Sequence, residues 1–129
     1  MLEVVSLMFK GAEIRKEADV IPESIEVSVS VDGVEQDGDD AVILYWSYNV
    51  DYRPNAANVK INGEARCTAT PDAIRKFIKE FEETKQFPLV DGGAEVLNMI
   101  NANASINAIF LIRPFNLMPP FTPPLIESK

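Results

Sequence analysis

The chain has no histidine, one cysteine and one tryptophan among its 129 residues. Without histidine there is no Ser-His-Asp or Cys-His catalysis and no His-based zinc site, and the commonest general base near neutral pH is missing. The lone Cys67 can close no internal disulfide, which fits a reducing compartment. Basic residues are scarce: 12 Lys and Arg against 20 Asp and Glu give a net charge of −8 and a pI near 4.5. That balance excludes nucleic acid and anionic membrane surfaces as partners, because polyanion binding needs a basic patch that releases counterions. GxGxxG, GxxxxGK[ST], GxSxG and CxxC are all absent, so no phosphate-binding loop, nucleophile elbow or redox pair is signalled. No uncharged apolar run reaches the roughly 18 residues of a membrane span, and Met1-Leu-Glu-Val-Val opens with neither a basic n-region nor an apolar h-region. The expectation is a soluble, cytoplasmic protein without membrane insertion. The carboxylates fall in strand-alternating or loop positions, not in apolar surroundings that would tune a pair apart. Gln36-Asp37-Gly38-Asp39-Asp40 has a calcium-like composition but lacks the spacing and terminal Glu of an EF-hand loop, and reads as a hairpin turn. The chain is therefore expected to be no enzyme, with no catalytic residue, cofactor or metal.

What is present is an ordinary globular composition, 47% hydrophobic and 25% charged, in a length suited to one domain over residues 1–129. Leu2 to Ile14 mixes apolar and charged residues irregularly, and Pro22 starts the next element. Ile25, Val27, Val29 and Val31 then alternate with Glu26, Ser28, Ser30 and Asp32, the period-two signature of a strand with one buried and one wet face. In the third strand Val42, Leu44, Trp46, Tyr48, Val50 and Tyr52 share a face while Ile43 and Tyr45 occupy the other, which predicts a central strand or one whose outer face meets a subunit. Val59, Ile61, Gly63, Ala65, Cys67 and Ala69 form the inner face of a fourth strand, and its small residues leave room for something bulky above, most simply a helix. Cys67 reads as a small buried hydrophobe.

Thr70-Pro71-Asp72 is a helix start: a hydroxyl N-cap, proline at N1 and an acid in the first turn. Ile74, Phe77, Ile78 and Phe81 follow at helical spacing, and Phe87-Pro88 ends the element. Asp91-Gly-Gly93 opens a second helix from Ala94 to Ile112. At 100° per residue, Leu97, Ile100, Ala104, Ala108 and Leu111 form one apolar stripe. Met99, Ala102, Ile106, Ile109 and Phe110 form another, roughly opposite. Such a helix must be covered twice, once by the sheet and once by the C-terminal segment, another helix or another copy of the chain. Asn98, Asn101 and Ser105 separate the stripes on one side, Asn103 and Asn107 on the other, and their neutrality predicts a mostly buried setting. Arg113 to Ile126 then interleaves five prolines with Phe115, Leu117, Met118, Phe121, Leu125 and Ile126. It can be neither a continuous helix nor a central strand, and is expected to be an extended, stiff apolar segment suited to lying in a groove. Strands followed by helices define an α+β domain: a four-stranded antiparallel sheet of meander-like order, two helices on one face, and an extended proline-rich C-terminal segment.

This layout resembles the SecB-like chaperone family. The residues that carry the resemblance are Phe115-Asn-Leu-Met-Pro-Pro-Phe121, the opening Met8-Phe-Lys-Gly-Ala-Glu-Ile14 before Pro22, and the strand Ile25 to Val31. The resemblance implies a non-enzymatic holdase that binds unfolded or preprotein clients, in protein export or toxin–antitoxin control, and assembles as a dimer or tetramer. The chain ends at Lys129, short of the longer tail that engages the SecA motor in the typical export chaperone, so that partnership is not expected.

The implied client-binding residues are Phe110, Phe115, Leu117, Met118 and Phe121, with Phe87 and Tyr45 as further candidates. Met99, Ala102, Ile106 and Ile109 are the implied oligomer interface. A non-catalytic assembly protein, using the same apolar surfaces only for homo-oligomerisation, is the alternative from another class.

Overall fold

A computed structural model describes residues 1–18, 21–54 and 56–119; Phe121, Leu125 and Ile126 lie outside them. Four strands, β1 (Glu3–Lys16), β2 (Ser24–Gln36), β3 (Ala41–Arg53) and β4 (Ala57–Thr68), precede α1 (Pro71–Thr84) and α2 (Gly93–Ile112), and a 3-10 turn follows at Arg113–Phe115. All pairings are antiparallel.

The spatial order is β1-β4-β3-β2, which corrects the expected meander. β2, β3 and β4 are joined by hairpins, but β1 lies against β4, so β1 and β2 occupy opposite edges. The link between them crosses the end of the sheet. Three inter-strand spacings are about 14 Å, well within the reach of a seven-residue connection. β3 is an interior strand, as its two apolar faces predict, and Val42, Leu44, Trp46, Tyr48, Val50 and Tyr52 are all buried on its inner face. At the β2–β3 turn Gly38 adopts a positive φ of 79°, and the Asp37 amide donates to the Ala41 carbonyl.

β1 looks irregular in sequence because it contains two bulges. Its register against β4 shifts between Val4 and Ser6 and again between Phe9 and Gly11, so each extra residue resets the alternation. Val4, Leu7 and Ile14 pack against the core in spite of their uneven spacing.

Both helices cover the inner face, α1 over β2 and β3 and α2 across all four strands. α1 is capped as its sequence predicts: the Ala73 amide donates to Thr70 Oγ1 at 3.3 Å, and Lys85 closes the helix with its amide on the Phe81 carbonyl. α2 starts from Gly92 at φ 93°, pressed so closely against the N-terminus that a Cβ there would sit 2.8 Å from the Leu2 carbonyl oxygen. Ile100, Ala104 and Ala108 are buried in the core with Val96 and Ile112, and Leu97 is buried too, while Met99, Ala102, Ile106, Ile109 and Phe110 are exposed.

The asparagines depart from expectation. Only Asn101 is buried; Asn103 and Asn107 lie outside and return their amides to the carbonyls of Met99 and Asn103. The buried face is rotated toward Asn101 and Ser105, and Ser105 Oγ donates to the Tyr48 hydroxyl at 3.1 Å. By length and composition alone Gly93–Phe115 could cross a membrane, but in this fold its inner stripe covers the sheet.

Candidate functional site

The site begins with a glycine. Gly63 stands on the inner face of β4, opposite Phe9 of β1 and Trp46 of β3. A Cβ at Gly63 would lie 2.0 Å from the Met8 carbonyl oxygen and 2.6 Å from the Trp46 ring. With no side chain there, the indole crosses β4 and reaches Phe9, ring centroids 5.3 Å apart and planes at 90°, a favoured aromatic geometry. What lies above the small residues of β4 at this point is thus a tryptophan rather than the expected helix.

Phe9 is anchored at one edge and 39% exposed at the other. Together with Lys10, Gly11, Ala12, Ile61, Asn107, Phe110 and Leu111 it lines an open groove of about 390 Å³ between the edge strand β1 and the last turns of α2. Phe110 forms the opposite wall and is 62% exposed. It stands there because the helical wheel turns it away from the sheet with Met99 and Ile106, while Leu111 is half-buried toward the core. The Arg113 guanidinium lies 5.6 Å above the centre of the Phe110 ring, a cation–π contact.

A second recess, about 320 Å³, opens at the end of the sheet where the β1–β2 link, the β3–β4 turn and the C-terminal segment converge. Lys16, Ile21, Pro22, Tyr52, Leu117 and Met118 are among its walls. Two side chains fasten the C-terminal segment here. Lys16 Nζ donates to the Phe115 carbonyl at 3.0 Å, and the Tyr52 hydroxyl donates to the Met118 carbonyl. Burial pushes the Tyr52 pKa up to about 12, so the hydroxyl remains a donor throughout the physiological range. Leu117 packs toward the core, leaving Met118 half-exposed and Phe115 on the surface.

The expected client-binding residues are therefore distributed over two places. Phe110 belongs to the β1–α2 groove, Leu117 and Met118 belong to the recess, Phe115 sits on the turn between them, and Phe121 lies outside the described residues. Phe87 packs edge-on against Phe77, centroids 5.2 Å apart. Tyr45 lies on the opposite face of the sheet, its hydroxyl donating to Glu35, an interaction that raises its pKa. Met99, Ala102, Ile106 and Ile109 form a continuous exposed face on the solvent side of α2.

Sequence reasoning missed Phe9 and Lys10, because the bulge at Lys10 breaks the alternation that would have marked Phe9 as inward; Ile61 it read as inner face of β4 without linking it to a groove. It also missed Lys16 and Tyr52, whose partners lie at the far end of the chain. Chemically the groove offers apolar walls, one aromatic on each side, a lysine and an amide. Cys67 lies apart from it, and burial raises its thiol pKa to about 11.

A four-stranded antiparallel sheet in the order β1-β4-β3-β2, backed on one face by two helices, is an α+β architecture of SecB-like fold. The chain superimposes on the SecB-like chaperone Rv1957 of Mycobacterium tuberculosis, solved in complex with a ChAD peptide from the HigA1 antitoxin Rv1956. The TM-score is 0.57 at 10% sequence identity, over 98% of this chain and 90% of that one. No protein-family model and no curated protein sequence matches the chain.

Proposed function

We propose that this protein is a non-enzymatic chaperone that holds unfolded polypeptide segments in its apolar grooves. The observation that carries this reading is the β1–α2 groove, where two aromatics, Phe9 and Phe110, stay exposed on rigid elements instead of closing over each other. Exposed apolar patches of this kind mark interaction surfaces, and an open groove suits a chain of varied sequence better than a small molecule, which favours an enclosed cavity. Met118 adds an adaptable apolar contact in the second recess, since a thioether on an unbranched side chain fits irregular partners. The likeness in fold to a chaperone that holds a peptide supports the reading. By the same analogy the client would be a segment such as an antitoxin peptide; holding preprotein clients in the cytoplasm is what the family resemblance adds to the proposal.

A second reading rests on the outer face of α2. Met99, Ala102, Ile106 and Ile109 present apolar surface to solvent, bordered by neutral asparagines, which suits contact with another copy of the chain in a dimer or tetramer. Self-association and client holding use different surfaces and are compatible; self-association alone is the assembly-protein reading.

The experiment is aggregation of a reduced, unfolded client with and without stoichiometric protein, followed by gel filtration. Suppressed aggregation and a co-eluting complex are expected. A stable oligomer that neither suppresses aggregation nor co-elutes leaves only the assembly reading.

A further inference from the structure

We propose that the β1–α2 groove selects polypeptide segments in which an apolar or aromatic residue is flanked by carboxylates, which Lys10 and Arg113 read. This rests on the polypeptide-binding reading above and names the class of segment.

The charge of the groove runs against the charge of the chain. Acids outnumber bases 20 to 12, yet among the described residues no carboxylate lines the groove and its one charged wall is Lys10. Arg113 is not itself a wall of the groove, but its guanidinium lies over the ring of the wall residue Phe110, 5.6 Å from the centroid, and so brings a second cation beside it. Arg15, Arg53, Arg66 and Arg75 are consumed in ion pairs with neighbouring carboxylates. Neither Lys10 nor Arg113 makes an ion pair with a described residue.

Lys10 is placed by a device, not by the regular pleat. Strict alternation after Phe9 would send it to the outer face of the sheet. The bulge makes Lys10 the extra residue between Phe9, opposite Gly63, and Gly11, opposite Asn62, so Phe9 and Lys10 line the same groove. Bulges commonly re-aim a side chain in this way beside functional sites. On the other wall, a guanidinium lying over an aromatic face keeps its in-plane N–H groups free for a carboxylate. An apolar side chain between Phe9 and Phe110 would thus bring its flanking residues near a cation at each wall.

The net charge of −8 opposes an acidic segment at long range, but beyond about 8 Å that field is screened at physiological ionic strength. Contacts at the groove mouth are not.

The test uses three tryptophan-free peptides that share a central Phe-Leu pair flanked by aspartates, serines or lysines. Binding is followed by calorimetry and by emission of Trp46, the single tryptophan, which touches the groove through Phe9. The aspartate-flanked peptide is expected to bind about tenfold more tightly than the lysine-flanked one, the sum of two surface charge contacts whose sign is reversed. The Lys10→Glu/Arg113→Glu variant should invert that order. Lys10→Gln and Arg113→Gln, which keep the side-chain stems, should each narrow the difference and serve if the double variant does not fold. Equal binding of all three peptides, or preference for lysine flanks, overturns the inference and leaves the chaperone reading standing. Binding of none overturns both. A wild-type oligomer that takes up peptide only after dissociating would make the occupant a second copy and also overturns the inference.

Discussion

Phe9 and Trp46 meet at right angles, 5.3 Å between ring centroids, and they meet only because residue 63 has no side chain. The contact joins the groove to the middle of the core. Phe9 is held in place by a buried ring, while its outer edge remains available to a partner. The same arrangement makes Trp46 a built-in reporter of the groove.

Gly63→Ala should therefore damage stability and groove together. The added methyl would collide with the Met8 carbonyl oxygen, which belongs to the neighbouring strand and cannot step aside without disturbing the ladder. A loss of about 2–3 kcal/mol is expected from urea unfolding, typical of overpacking in a dense core. A change in Trp46 emission in the folded variant should accompany it.

Phe110→Ser separates binding from folding. The side chain is 62% exposed, so stability should change by no more than about 0.5 kcal/mol. Suppression of client aggregation should drop at least severalfold at equal protein concentration. Unaltered suppression would move the binding activity away from the β1–α2 groove and toward the recess around Met118.

Ile106→Asp addresses the other side of α2. Ile106 is 58% exposed in the middle of the outer apolar face, and a charge there would be costly in any interface that buries it. Sedimentation should show a lower mass than the wild type, with the fold retained by circular dichroism. An unchanged oligomer would mean that copies associate through a different surface.

Alkaline pH should weaken the fold by a route that involves Cys67. Burial raises its thiol pKa from 9.0 to about 11, so the folded state holds the proton more tightly than the unfolded chain does. The stabilisation is complete below pH 9 and is lost as pH rises toward 11, at up to roughly 1.4 kcal/mol per pH unit. Tyr52, raised to about 12, adds to the decline above pH 10. Denaturation midpoints measured from pH 8 to pH 11 should fall for the wild type and fall less for Cys67→Ala, which cannot titrate.

Much of the fold was legible because the signals were local. Ile25 to Val31 and Val42 to Tyr52 alternate without interruption, and Thr70-Pro71-Asp72 carries a helix start within three residues. α2 shows both stripes within five turns. The groove was half legible. Phe110 stands out as an aromatic on the second stripe, but its counterpart Phe9 sits beside a bulge, where one extra residue erases the period-two pattern. Lys16 and Tyr52 gave no sign of holding the C-terminal segment, since nothing near them in sequence requires a partner.

The amino-acid order by itself settled what most of the described segments would become: four strands, a capped helix, and a long helix with two apolar sides that stops before Pro114. Those outcomes depend on backbone sterics and side-chain periodicity, which act over a few residues. Tertiary structure decided the rest. It placed β1 against β4 at the far edge, turned the Leu97–Ala108 stripe inward and the Met99–Ile109 stripe outward, and set Phe9 across from Phe110. Each of these is a choice among arrangements that local pattern leaves equal, made by whichever buries most apolar surface with its hydrogen bonds satisfied. That sum is defined only when the whole chain is packed.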